Sequence, residues 1–229
     1  MSAIALIVGL GNPGPTYAAT RHNVGQRWVE TLADRFRIPL QPESKFSGLV
    51  GRGRIAQNDV RLLVPTTYMN DSGRAVAALA NFYKWTPDRI LVAYDEMAFE
   101  PGQVRLREGG GDNGHNGVRS IVAGLGRQKG FLRLRIGVGH PGDARRVTSY
   151  LTQQKPPQSE RELIEQGLDR INDALLGKIL GGAIGEAMNT LHGPPGGRPA
   201  SKRRSPDSPA GQASEQASAP EHRSTDSRE

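Results

Sequence analysis

No cysteine occurs among the 229 residues. That absence excludes a disulfide scaffold, a thiol nucleophile and any cysteine-ligated zinc or iron–sulfur centre. Long apolar runs are missing too. None approaches the roughly 18–20 residues that cross a bilayer, so no transmembrane helix and no membrane partner are expected. The opening MSAIALIVGLGNPG lacks a basic n-region and reaches a turn signal after a short apolar run, which reads as a first strand rather than a signal peptide. No internal repeat is visible. No two histidines have the i, i+4 spacing of a helical metal pair, so no metal is expected. Acidic residues are the minority, 23 against 30 Lys+Arg, for a net charge of +7. Such an excess favours a polyanionic partner but fixes no function by itself.

What is present divides at Leu191-His192. Residues 193–229 hold six prolines, seven serines and no apolar side chain larger than alanine. A segment of that composition cannot bury enough surface to offset its ordering entropy and is expected to be disordered. Its charges nearly cancel, so the basic excess belongs to residues 1–192, which are long enough to build one core. Within the tail, Lys202-Arg203-Arg204 is the only cationic run.

Residues 1–192 read as alternating strands and helices. Ile4 to Leu10, Val60 to Val64 and Ile90 to Tyr94 are apolar runs suited to strands covered on both faces. Val24, Trp28, Val29, Leu32, Ala33 and Phe36 recur at helical spacing and predict a helix over about 23–37. Ala75–Tyr83 and Val118–Leu125 carry similar stripes. FLRLRIGV, residues 131–138, alternates strictly and sets Arg133 and Arg135 on one face. Ser159-Glu160-Arg161-Glu162 matches a capping box, with Leu163, Ile164, Leu168, Ile171 and Leu175 continuing one helical face. A further helical segment is expected over Ile179–Leu191 after an interruption at Gly177. The fold class predicted is α/β, a single domain with a twisted mixed sheet surrounded by helices.

Gly9-Leu10-Gly11-Asn12-Pro13-Gly14 follows a strand and fits the dinucleotide pattern, with Glu30 or Asp34 as the acid some twenty residues on. Its chemistry points elsewhere. Pro13 and Pro15 each remove an N–H that a pyrophosphate would need, and the helix begins too late to aim its N-terminus there. Two readings remain, a plain tight turn or a turn that presents the Asn12 amide. No cofactor is expected.

Of five histidines, His192 and His222 lie at or in the tail. His22 stands just before a helix, and Asp95 ends a buried strand, a common catalytic position in open α/β sheets. Asn70 and Asn116 sit at loop-to-helix turns, where helix capping or turn formation accounts for each one taken singly. Together, a histidine, a carboxylate and several amides supply a base, its orienter and neutral recognition. No serine or cysteine stands out beside His22, so water is the economical nucleophile.

The strings LIVGLGNPGPTYAATRHNVG, VPTTYMNDSG, YDEMAFEPGQVRLREGGGDNGHNGVRSI and LRIGVGHPG, in that order, resemble bacterial peptidyl-tRNA hydrolase from Ile4 to about His192. The resemblance implies a monomeric, metal-free, cytoplasmic enzyme that cleaves the ester between a peptide and the 3′ ribose of tRNA. It implies His22 as the base that activates water and Asp95 as the carboxylate that holds it. It implies Asn12 as the amide that separates peptidyl from free aminoacyl esters. Tyr17, Tyr68, Asn70 and Asn116 match substrate contacts, Met69 lines the same cleft, and Arg105, Arg107 and Arg135 occupy positions suited to tRNA phosphates. Asp112-Asn113 and Tyr94 depart from residues frequent in the family. The alternative is a non-catalytic RNA-binding relative of the same fold.

Overall fold

A computed structural model gives the structure of residues 2–193. Seven strands form one mixed sheet in the order β2-β3-β4-β1-β5-β7-β6. They are β1 Leu6–Gly9, β2 Gln41–Glu43, β3 Gly48–Ile55, β4 Asn58–Pro65, β5 Ile90–Glu96, β6 Val104–Glu108 and β7 Leu132–Gly137. The central strands β4, β1, β5 and β7 run parallel, and β2, β3 and β6 add antiparallel margins. The predicted apolar runs are the central strands. Covered on both faces, they carry near-continuous Val, Ile and Leu.

Helix α1, Val24–Arg35, packs on one face of the sheet. Helices α2, Ser72–Tyr83, and α3, Asn116–Gly124, pack on the other. Three further helices join α1 on its face: α5 Gln158–Asp169, α6 Asp173–Leu180 and α7 Ile184–His192. A short α4, Val147–Thr152, precedes them. The chain leaves β1 towards one face and β4 towards the other, which opens a crevice at the carboxyl ends of these neighbouring strands. No helix among the described residues is long and apolar enough to cross a membrane.

The glycine-rich turn has a packing explanation. A Cβ on Gly9 would stand 2.5 Å from the Gly25 carbonyl oxygen, and one on Gly25 would fall on the Ala93 carbonyl. Together they allow α1 to lie directly against β1 and β5, and α1 carries the turn of His22 at its start. Gly25→Ala is therefore expected to lower stability by roughly 1–3 kcal/mol through overpacking, read as an earlier urea midpoint at unchanged slope.

Several boundaries differ from expectation. The proposed capping box does not form: α5 starts at Gln158 with Pro157 at its N-cap, so Ser159 is already inside the first turn. Ile171 and Leu175 do not continue α5, because Asn172 ends the run and caps α6 by accepting from the Leu175 N–H at 3.0 Å. Gly177 lies within α6, and the break comes at Gly181-Gly182, with Gly182 at φ +86°. Strands β2, β3 and β6 gave no clear apolar pattern. The β3–β4 hairpin turns through Ala56 and Gln57, both at positive φ, without the glycine that normally signals such a turn. Asn58 supports it by donating to the Ala56 carbonyl at 2.8 Å. Of the tail expected to be disordered, residues 194–229 lie outside the described residues.

Candidate active site

Two loops and the end of β5 meet at the carboxyl edge of the parallel strands, joined there by the loop before α3. The turn after β1 brings Asn12 and then a single 3-10 turn, Arg21–Asn23. The loop after β4 brings Tyr68, Met69 and Asn70, the last two in a 3-10 turn, Met69–Asp71. Strand β5 ends on Asp95 and Glu96. The glycine-rich loop before α3 adds Asn113, His115 and Asn116.

Asp95 is the centre of the group. Its Oδ1 lies 2.8 Å from His22 Nδ1 and 2.9 Å from His115 Nε2. The two imidazole rings stand 4.9 Å apart, and all three side chains are buried. An ionised carboxylate only accepts hydrogen bonds, so both facing nitrogens carry protons. That fixes the tautomers. His115 uses its other nitrogen, Nδ1, to accept the Val118 N–H at 3.3 Å and cap α3. His22 has no such second partner among the described residues, and its ring lines a cavity of about 130 Å³ with Met97, His115, Asn116, Val147 and Leu151. The unprotonated Nε2 of His22 is therefore the available base.

Electrostatics agree with this arrangement. Burial works against an imidazolium at His22, yet the Asp95 charge and hydrogen bond outweigh it and raise its pKa above the ordinary 6.5. Burial likewise opposes the Asp95 carboxylate, and the two histidines more than compensate, holding it well below the usual carboxylate range. The same three groups lie close enough for a cation, but the nitrogens that face the carboxylate are already protonated in this arrangement. Binding a cation through those two nitrogens would displace both protons.

Asn12 is 7% exposed and held on both sides. Its backbone N–H and carbonyl pair with the Asn23 side chain, each at 2.9 Å, and its Oδ1 accepts the Met69 N–H at 2.8 Å. That bond fixes which end of the amide faces Met69, and the NH2 has no partner among the described residues. Met69 is buried and packs beside Gly117, where a Cβ would stand 2.5 Å from its sulfur. Tyr68 is 61% exposed, Asn70 and Asn116 are exposed, and Tyr17 is half-buried.

The arginines separate. Arg105 donates to the His192 carbonyl at 3.0 Å and fastens the end of α7 to β6. His192 Nε2 accepts the Leu106 N–H at 2.9 Å in the same junction. Arg135 pairs with Glu96 Oε2 through Nε and Nη2 at 2.9 and 2.8 Å and lies 4.5 Å from the Phe99 ring centre. Arg107 is exposed, and with Arg133 and Arg135 it lines a hollow of about 330 Å³ that also includes Glu96 and Asn113. Arg107 and Arg135 thus stand beside the cavity that His22 lines, whereas Arg105 is engaged at the end of α7.

Comparison with known proteins matches the peptidyl-tRNA hydrolase family model to residues 6–200. The chain belongs to this family. Among its relatives, the peptidyl-tRNA hydrolase of Psychromonas ingrahamii is 53% identical over 190 residues, covering 82% of this chain and 95% of that protein. That of Pectobacterium carotovorum is 52% identical over 195 residues, covering 84% and 97%. The crystal structure of peptidyl-tRNA hydrolase from Acinetobacter baumannii superposes with a TM-score of 0.79 at 46% identity, covering 83% of this chain and 95% of that one.

Within this peptidyl-tRNA hydrolase fold, the reading of individual residues missed three neighbours of the site. His115 shares Asp95, Asn23 braces Asn12, and Glu96 accepts from Asn113 Nδ2 at 2.8 Å as well as from Arg135. Their only signal was position: each adjoins a residue already singled out in the same string.

Proposed function

We propose that this chain hydrolyses the ester joining a peptide to the 3′ ribose of tRNA, acting in the cytoplasm as a monomer and recycling tRNA from aborted translation. The observation that carries the reading is the shared carboxylate of Asp95 with a free His22 Nε2 beside an open cavity, in a chain of this family. His22 Nε2 takes a proton from water as the water oxygen attacks the ester carbonyl. The imidazolium formed is held by Asp95. As the carbonyl re-forms, the C–O bond to the ribose breaks, and His22 returns the proton to the 3′ oxygen. An ester leaving group of this kind needs little more assistance than that.

Asn12 supplies discrimination. Its free NH2 is a donor and meets an acceptor, the carbonyl of the last peptide bond. A free aminoacyl ester has an ammonium there, a donor only. Tyr17, Tyr68, Met69, Asn70 and Asn116 surround the acyl group and the tRNA 3′ end. Arg107, and Arg135 through the Nη1 that Glu96 leaves unused, hold phosphates, with affinity that falls as salt rises.

The direct experiment is release of labelled N-acetyl-aminoacyl groups from tRNA by the full chain. A protein that binds tRNA and releases nothing would instead be the non-catalytic relative. Asn12→Asp keeps an acceptor for the Met69 N–H but replaces the donor with a charge that attracts ammonium. Preference for the blocked over the free aminoacyl ester is expected to fall about 5–30-fold, the worth of one such hydrogen bond. Unchanged selectivity would remove Asn12 from this role.

A further inference from the structure

Arg21 immediately precedes the base, and nothing in the reaction above uses it. It is 3% exposed, a costly place for a guanidinium unless it is paired. Its Nη2 pairs with Glu160 at 2.6 Å. Its Nη1 faces the carbonyls of Tyr150 and Gln154 at 3.4 and 3.5 Å. The guanidinium carbon lies 3.9 Å from the Tyr150 ring centre, and the Tyr150 hydroxyl donates to the Val138 carbonyl at 2.6 Å, just beyond β7.

These partners share a location. Tyr150 belongs to α4, Gln154 lies two residues past its end, and Glu160 is in the first turn of α5. Helix α4 is a wall of the catalytic cavity, through Val147, Thr148, Leu151 and Thr152. One side chain therefore joins the turn that bears His22 to the wall against which an acyl group would rest. The two carbonyl contacts are at the outer edge of hydrogen-bond range, and Nε has no partner. An arginine serving stability alone gains most when every donor is met. This one is held chiefly by the Glu160 pair and by stacking.

We propose that Arg21 is a positioning residue for ester hydrolysis: a clasp that sets the spacing between the α4 wall and the His22 ring, so that the carbonyl carbon held at the wall meets the water His22 activates. This inference rests on the reading of the cavity as the acyl site. Misplacement on the ångström scale is enough to slow a reaction substantially while binding survives.

The test compares the wild-type chain with Arg21→Gln, Arg21→Lys and Glu160→Gln, each first checked for a cooperative thermal transition above the assay temperature. With N-acetyl-aminoacyl-tRNA, Arg21→Gln and Glu160→Gln are expected to lower kcat about 10–100-fold with KM changed less than about twofold, because the phosphate contacts are untouched. The pH position of the activity limb should stay in place, since the His22–Asp95 contact is intact. Arg21→Lys, which keeps a charge for Glu160, should recover part of kcat. If Arg21→Gln does not fold, Glu160→Gln breaks the same link from its outer end and decides the matter. Folded variants with wild-type kcat would overturn the clasp while leaving the hydrolase reading in place. A wild-type chain without turnover would overturn both.

Discussion

Replacing His22 by alanine is expected to slow release of N-acetyl-aminoacyl groups from tRNA by roughly 10²–10⁴-fold, the usual worth of a general base. Affinity for tRNA should stay close to wild type, because Arg107 and Arg135 lie outside the imidazole's reach. The choice of pH matters. His22 has its pKa raised in the folded chain, so its ion pair with Asp95 contributes to stability fully below the unfolded value of 6.5. That contribution is lost as pH rises through the folded pKa. An assay above the folded pKa of His22 therefore compares wild type and variant where the structural penalty of losing the imidazole is smallest. A folded His22→Ala protein with wild-type turnover would show that the base is another group.

Asp95→Asn is expected to lower kcat on the order of 10²–10³-fold, within the range of general-base effects, and to move the activity limb. An asparagine oxygen can still accept from both His22 Nδ1 and His115 Nε2, so the tautomers can persist. The buried negative charge is what disappears. In the wild type, activity needs neutral His22 and should rise with pH through an apparent pKa above 6.5, as the Asp95 charge dictates. Without that charge, burial alone acts on the imidazolium and the limb should shift to lower pH. The imidazolium that forms in the transition state loses its counter-charge, which is the source of the rate loss. A limb that stays in place would mean that Asp95 orients His22 without tuning it. The carboxylate has its own pH consequence. Its pKa is depressed, so its stabilising contribution is present above the ordinary value of 3.8 and is lost as pH falls through the folded one.

Much of the fold could be read from periodicity where burial is one-sided or complete. The stripe on α1 and the apolar runs of β1, β4 and β5 each have a single way to be buried. The method failed where tertiary contacts substitute for local signals. β3 contains three glycines and two arginines and is held by its register with β4, from Gly48 opposite Pro65 to Ile55 opposite Asn58. The apolar positions 163 to 175 suggested one helix, but Asn172 offered its side chain to a new helix start, and a cap competes successfully with a weak helical interior.

The proposed catalytic pair illustrates the same division. Residue types and their places at strand and helix ends sufficed to single out His22 and Asp95, and the ordered motifs sufficed to point to peptidyl-tRNA hydrolase. Chemical identity, local periodicity and turn chemistry are carried by neighbours along the chain. The protonation pattern of the site is not. That His115 takes a share of Asp95, that the Asn12 oxygen meets the Met69 N–H, and that Arg105 is engaged at α7 while Arg107 stands open were all settled by folding. Each depends on which groups from distant segments arrive within about 3 Å, where a hydrogen bond either consumes a lone pair or leaves it for the substrate.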